Sequence, residues 1–537
     1  MMEVPTMAAI DPTSVAGKDF PVAGHADLIV VGAGPAGIAA AQEARELGLD
    51  VMLVDEHPVA SALIGLDVPY MFGERLDAAV QNKPRMLERV VGNRPEIAKL
   101  FESGADVRLG IYAWGAFANE ASCRVPARRL LGLADESHSW LVSFDRMIVA
   151  AGARDLAVAF PGWDRPGVMG ACGFSTAAGL YQAFLGRRIA VLGAGSLGLK
   201  VAQQALEAGI EVAGIVDVEG AAPGPALQDL LEHRVAIHAG HAVLAVEGGA
   251  ELAGIRVAPL GRKEAHFEIA CDTIVSALDL VPVGELFDLL GCKIAWRAEL
   301  GGFVPVVDDE GRTSVSGIYA AGDCAGVTDA AIGDPAIAAA AGLSAARAAA
   351  RDGGVAAERL AAPVGGANAD RTGHARAWLA AHLDAAKETV ICRCEEVSLS
   401  DLIGVRPPRY LTYDKERFVA RNLRSLAAEG PVNQDQIKRL TRAGMGSCQG
   451  RRCREQVHLL LTLQGNQPSG SVPMPSYRAP LRPLPLNVLG AHDETAEMRQ
   501  NWVTWFGIPS QWLPHWQQVP DGEALSDHRI GLWDVSK

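Results

Sequence analysis

Three groups of residues in this chain have types and spacings that could do chemistry. The first is Gly32-Ala33-Gly34-Pro35-Ala36-Gly37, a G-x-G-x-x-G run directly after the apolar residues Leu28 to Val31. Its first glycine permits a tight turn, its second lets backbone approach a pyrophosphate, and its third lets a helix pack on the strand. The N-terminus of that helix, expected over residues 38–47, then faces the phosphate charge. A second apolar strand, Val51 to Val54, ends in Asp55-Glu56, where a carboxylate should meet the adenosine ribose hydroxyls. Gly32, Gly34, Pro35, Ala36, Gly37, Asp55 and Glu56 are therefore expected to hold a dinucleotide. The competing reading is a glycine-rich turn in some other α/β unit.

The second group repeats the first. Ile189 to Leu192 form the strand, Gly193-Ala194-Gly195-Ser196-Leu197-Gly198 the loop, and residues 200–208 the helix. The next strand, Glu211 to Val216, ends at Asp217, with Glu219 just beyond. An acid here suits a free 2′-hydroxyl and repels a 2′-phosphate, so NAD or another adenine nucleotide, ATP included, is expected over NADP. The alternative is a retained fold that is empty or holds a structural adenylate.

The third group is Cys392-Arg393-Cys394 with Cys448 and Cys453, a C-x-C and a C-x4-C. Four thiolates in two close pairs could hold zinc or an iron–sulfur cluster. Gly444, Gly446 and Gly450 leave amides free to point at sulfide, and Lys438, Arg439, Arg442, Arg451, Arg452 and Arg454 would offset negative charge. A C-x-C is an unusual pitch for a zinc knuckle, so Cys392, Cys394, Cys448 and Cys453 are expected to ligate a 2Fe-2S cluster, with zinc or bare thiols as alternatives. The remaining cysteines, Cys123, Cys172, Cys271, Cys292 and Cys324, are isolated in sequence and read as structural. None forms a close pair near the first glycine loop, so a disulfide-reductase mechanism is not expected. No residue identifies itself as a catalytic acid or base.

The elements that must position these groups follow. Met147 to Val149 is a buried strand opening into Ala150-Ala151-Gly152-Ala153, which closes the first nucleotide half and adds Ala151 and Gly152 to its site. A turn-rich crossing, Phe160 to Val168, leads to the second unit. The first fold is then expected to resume with the strand Thr273 to Ala277. Ile318 to Ala321 followed by Gly322-Asp323 is the strand-plus-Gly-Asp element of two-dinucleotide flavoproteins, whose Asp contacts the ribityl-phosphate part of the flavin. An Ala-rich helix over residues 336–350 comes next.

The predicted fold class is α/β: an FAD-binding Rossmann-type fold with an inserted second nucleotide-binding domain, plus a small C-terminal cysteine-ligated 2Fe-2S domain. The expected boundaries are a lead-in at 1–25, FAD-binding segments at 26–158 and 286–352, and the inserted domain at 159–285. A linker at 353–385, the cysteine domain at 386–470 and a Pro- and Trp-rich tail at 471–537 complete the chain. That tail carries Trp502, Trp505, Trp512, Trp516 and Trp533 and reads as an interface or a small local core.

Composition narrows the classes. With 537 residues, several domains are expected; 49% hydrophobic and 21% charged residues describe a globular chain. A net charge of −14 without a Lys/Arg run argues against a nucleic-acid partner. No secretory signal or transmembrane run is visible, and nine cysteines are too few for a disulfide scaffold, so a cytoplasmic protein is expected.

With these residues placed, the chain resembles the α-type subunits of heteromeric amino-acid dehydrogenases and oxidases. Opine oxidases, hydroxyproline and proline dehydrogenases, cyanide synthase and the α subunit of sarcosine oxidase are of this type. The resemblance covers about residues 26 to 465. It is carried by Ala150-Ala151-Gly152-Ala153, Phe160-Pro161-Gly162-Trp163, Pro166-Gly167-Val168, Ile391 to Val397 and Thr441 to Gly450. It implies FAD at the first fold, an adenylate at the second and a 2Fe-2S cluster on the cysteines. It also implies a partner β subunit that carries a second flavin and the substrate site. Two departures stand out. Ser61-Ala62-Leu63 occupies the place where relatives carry Gly-Gly-Gln. The plant-type ferredoxin segment of some relatives is missing, so a small ferredoxin-like subunit could supply it. The closing Gly531 to Ser536 also looks like the opening of a folate-binding aminomethyltransferase domain.

The implied role is an electron-transferring subunit of an enzyme that oxidises the C–N bond of an amino acid or N-alkyl amino acid. Two other classes stay open: a self-sufficient NADH-dependent flavin/iron–sulfur reductase, and a nucleotide-binding structural scaffold.

Overall fold

The structure is a computed structural model that describes residues 21–59, 75–118, 128–363, 370–384, 386–408 and 420–490. Ser61-Ala62-Leu63, the five-tryptophan tail and the closing Gly531 to Ser536 lie outside the described residues.

Leu28, Ile29 and Val30 are fully buried, as an unbroken apolar run requires of a strand covered on both faces. They belong to β1 (His25–Val31), the centre of a sheet with β2 (Val51–Asp55), β3 (Asp106–Leu109), β4 (Tyr112–Phe117), β5 (Leu130–Ala134) and β6 (Ser139–Val149). The order is β3-β2-β1-β6-β5-β4, and Ile318–Ala320 pairs in parallel with β6 after a long excursion. β1, β2, β3 and β6 run parallel, while β4 and β5 form an antiparallel flap.

The second sheet is wholly parallel, in the order Ile237–Ala239, Glu211–Asp217, Arg188–Leu192, Thr273–Ser276, Val168–Gly170. Thr273–Ser276 was expected to resume the first fold. It instead pairs with Arg188–Leu192, Ile274 opposite Ala190 and Val275 opposite Val191. An apolar run states that a strand is buried but not which sheet it joins. A three-stranded antiparallel sheet, His241–Gly248, Leu252–Pro259 and Phe267–Ala270, is attached to this unit.

Both loop helices begin three to four residues earlier than expected, at Pro35 and Ser196. The reason is the same in each. Gly34 and Gly195 take extended backbone, φ −74° and ψ −179°, so the helix starts on the next residue. The returning Ala-rich helix, Pro335–Asp352, packs along Pro35–Glu46 so closely that a Cβ on Gly342 would lie 2.0 Å from the Ala36 carbonyl oxygen. Asp334 caps its start by accepting from the Ala336 amide, and Arg347 pairs with Glu43 at 2.6 Å on its flank.

The C-terminal cysteine segment is a set of short helices that includes Thr372–His382, Gln434–Thr441 and Arg454–Gln464. It does not stand apart. Ile391, Cys392, Val397 and Leu460 share one apolar core with Trp163, Leu192, Ile255 and Val257 of the inserted unit. Trp163, 2% exposed, donates its indole N–H to the Val390 carbonyl at 2.8 Å. The Phe160-Pro161-Gly162-Trp163 turn thus docks the cysteine segment.

Candidate functional site

The two glycine loops are copies in three dimensions. Gly32 and Gly193 take positive φ, +111° and +106°, and a Cβ on either would strike a carbonyl oxygen, that of Ala150 at 2.2 Å or Ala277 at 2.4 Å. A Cβ on Gly37 would lie 1.8 Å from the Gly32 oxygen, and one on Gly198 1.9 Å from the Gly193 oxygen. Above Gly34 and Gly195 there is open space, with no atom within 4 Å of a built Cβ. Each loop therefore leaves an open cradle at a helix N-terminus, the shape and polarity that a pyrophosphate fits. Pro35, Ala36, Ser196 and Leu197 line the first turns of the two helices.

The acid at the end of each second strand lies under its loop. Asp55 accepts from the Ala33 amide at 2.6 Å, and from the His57 amide and Nδ1 at 2.8 and 3.0 Å. Burial opposes its charge, but His57, Arg94 and the Ala33 amide outweigh burial and bring the carboxyl down to about 2. Asp217 repeats the contact with the Ala194 amide at 2.6 Å and accepts from the Glu219 amide at 2.8 Å. Its remaining positions face His374 Nε2, 2.9 and 3.0 Å from the two oxygens. Glu56, next to Asp55, pairs with Arg482 at 2.5 Å.

Beside the first cradle, the main chain after β6 passes through Ala151 and Gly152, φ +69°, with no atom within 4 Å of a Cβ built on Gly152. Ala321 donates to the Val149 carbonyl at 3.1 Å, which sets Gly322-Asp323 at the same edge. Burial raises the Asp323 carboxyl, with Lys200 and Arg371 working against it. Two further residues near this edge carry no sequence signature. Arg94 donates to the Ala33 carbonyl at 2.8 Å, placing a cation beside the first loop. Asp155 is buried with its Oδ2 unpartnered, and burial pushes it up to about 6 although amides at the start of a short helix, Cys172 among them, donate to it. A lone Arg before a helix or a lone Asp ending a short strand reads as surface, so only the fold could place them.

The cysteine segment brings Cys392, Cys394, Cys448 and Cys453 together as free thiols. Cys392 hydrogen-bonds with Cys394 and Cys453, and Cys394 with Cys448. These bonds raise the Cys392 thiol, by its contacts with Cys394 and Cys453 and by burial, and lower Cys394. The Gly444 amide points at Cys392 Sγ at 3.4 Å. No three of the four sulfurs lie within 4.8 Å of one another. Among the described residues the donor atoms that converge in that way are those of His25, Asp27 and Asp145.

A buried charge network fastens this segment to the first fold. Arg154 donates to Glu285 at 2.5 Å and to Glu455 at 2.9 Å, and Arg454 also reaches Glu285, at 3.1 Å. The Ala159 amide donates to Gln456 at 2.8 Å.

Comparison with known proteins places this geometry. The family described as pyridine nucleotide-disulphide oxidoreductase matches residues 26–353. An opine oxidase subunit of Agrobacterium tumefaciens (strain Ach5) is 27% identical over 507 residues, 88% of this chain and 92% of that protein. Hydrogen cyanide synthase subunit HcnB of Pseudomonas protegens is 26% identical over 460 residues, 79% of this chain and 89% of that one. The crystal structure of L-proline dehydrogenase from P. horikoshii shares the fold with a TM-score of 0.59 at 20% identity, over 88% of this chain and 81% of that one.

The expected 2Fe-2S domain and 2Fe-2S cofactor are corrected by these findings. The matched family is one of disulphide oxidoreductases, and the four thiols contact one another in a chain, Cys453 to Cys392 to Cys394 to Cys448, with no three sulfurs within 4.8 Å of one another. The C-x-C pitch argued against a zinc knuckle but did not distinguish a cluster from paired thiols.

Proposed function

The chain belongs to the pyridine nucleotide-disulphide oxidoreductase family, and from that premise we propose that this FAD-dependent oxidoreductase is the electron-carrying subunit of a heteromeric amino-acid oxidising enzyme. The observation that carries the reading is the match with the opine oxidase subunit over 88% of this chain and 92% of that protein. The substrate is an amino acid or N-alkyl amino acid of the opine, hydroxyproline, proline, glycine or sarcosine type. Its C–N bond becomes an imine as two electrons pass to a flavin on the β subunit, this chain carries those electrons onward, and the imine hydrolyses.

In this reading Gly32, Gly34 and Gly37 form the cradle for the FAD pyrophosphate, and the open space above Gly34 fits that group. Asp55 braces the loop through the Ala33 amide, and Asp55 or Glu56 is the acid that meets the ribose. Ala151, Gly152, Gly322 and Asp323 border the flavin end. Bound FAD supplies reversible two-electron storage, and the protein supplies position and electrostatics. The second loop, Gly193 to Gly198, takes NAD or another adenine nucleotide, with ATP among the candidates. Among the described residues no helix is long and apolar enough to cross a membrane.

The test is expression with and without the neighbouring reading frames, followed by amino-acid-dependent dye reduction. Activity is expected only with a β-type partner. Robust turnover by the isolated chain would overturn the conduit role in favour of a self-contained oxidoreductase.

A further inference from the structure

The contacts of Asp217 divide into two kinds. Two come from its own loop, the Ala194 amide on Oδ2 and the Glu219 amide on Oδ1. Asp55 has the same two, from Ala33 and His57, so these belong to the fold. The third partner differs. In the first fold it is the ring of His57, two residues on; in the second it is His374, 157 residues away in sequence. A carboxylate offers about four acceptor positions, and His374 completes the filling of those on Asp217. The consequence is visible in exposure: the Asp55 side chain keeps 9% of its surface open, Asp217 none.

His374 is held on a short arm. It lies in the first turn of Thr372–His382, preceded by Gly373 and by Arg371, which is anchored on Asp279 and, at 2.6 Å, on Asp329. Trp378, one turn further on, is 1% exposed and fixes the helix. The imidazole itself is 22% exposed, and swinging it to solvent gives up both its contact with Asp217 and the Trp378 indole N–H, which lies 3.1 Å from the same Nε2, while the Trp378 ring stays packed.

We propose that His374 closes the second nucleotide site, because its imidazole occupies the place on Asp217 that adenosine ribose hydroxyls take in this type of fold. Nucleotide and the leading helix of the C-terminal segment then compete for one carboxylate, so loading of the second site requires His374 to swing out. This rests on the reading of Gly193 to Gly198 as a nucleotide loop. The charged groups facing His374 are Asp217, Glu219 and Asp279. Burial opposes protonation of the imidazole, but its bond to Asp217 more than compensates and raises its pKa. Closure is therefore tightest for the imidazolium and loosens as pH rises.

The experiment is calorimetric titration of the full-length, FAD-loaded protein with NADH, and in parallel NADPH and ATP, at about pH 6 and about pH 8, on either side of the ordinary imidazole range. Wild type is compared with His374→Ala and His374→Gln, with FAD content and circular dichroism as folding controls. His374→Ala is expected to bind NADH roughly tenfold more tightly than wild type, and wild type to bind more tightly at the higher pH. His374→Gln keeps an amide donor that does not titrate, so its affinity should lose the pH dependence; that variant carries the test if His374→Ala fails to fold. Equal or weaker NADH binding by folded His374→Ala, or a wild-type affinity indifferent to pH, overturns the gate while leaving the nucleotide site. Failure of NADH, NADPH and ATP alike to bind either protein removes the nucleotide reading, and the gate with it.

Discussion

The Arg154 guanidinium meets the Glu285 carboxylate at 2.5 Å with both side chains less than a tenth exposed, 7% and 3%. Its other arm reaches Glu455, so one residue of the first fold holds the helix Arg454–Gln464 of the cysteine segment in place. Removing Arg154 takes a buried cation from two carboxylates and leaves Glu285 and Glu455 to share Arg454, a loss of up to about 3–5 kcal/mol. Arg154→Ala should therefore lower the denaturant midpoint strongly and expose the cysteine segment to protease before the flavin fold. A midpoint within error of wild type would show that the network carries little.

The glycines make separable predictions. Gly37→Ala would force a Cβ to 1.8 Å from a backbone oxygen, beyond the ~1–3 kcal/mol of ordinary overpacking, and should yield unfolded or insoluble protein. Gly34→Ala meets nothing in the protein itself. It should fold normally yet hold FAD more than about tenfold less tightly, because its Cβ enters the space a pyrophosphate needs. The ratio of flavin to protein absorbance and the melting temperature distinguish the two.

Asp155 gives a pH signature. Burial raises its carboxyl to about 6 from an ordinary 3.8, so the folded state prefers the protonated form. The stability it contributes is complete below about pH 4 and is lost as pH rises through 6, a change on the order of 3 kcal/mol. Asp155→Asn should flatten that part of the stability profile and exceed wild type at pH above about 7. Parallel urea titrations of the two proteins across this range check it. Matching profiles would mean that Asp155 does not titrate there.

A chain cut before Trp502 lacks all five tryptophans of the tail. If these are interface anchors, the cut should weaken capture of the co-expressed β-type partner while FAD content stays unchanged. A loss of FAD with partner capture intact would assign the tail to the flavin fold instead.

The two loops were legible because their glycines answer a local demand: a turn, a close approach and a helix–strand contact, all within six residues. What lay further apart was not. Nothing in the pattern around His374 announces a partner 157 residues back, and Arg154 and Glu285 are separated by 131. Thr273–Ser276 shows the same limit for strands, since burial on both faces is readable and sheet membership is not. The cysteines failed for a different reason. Spacing defines which thiols come close, but paired thiols and a four-sulfur cage share that spacing and differ only in how the sulfurs are aimed.

The common core of the inserted unit and the cysteine segment has a consequence for how the chain is made. Trp163 and the apolar strip around it emerge early in synthesis, whereas Leu460 and its neighbours, which cover that strip, arrive some 300 residues later. Until the ribosome has passed Gln464, the inserted unit cannot finish its own interior. A chain terminated before that point keeps this apolar flank uncovered, the kind of surface that chaperones and proteases act on.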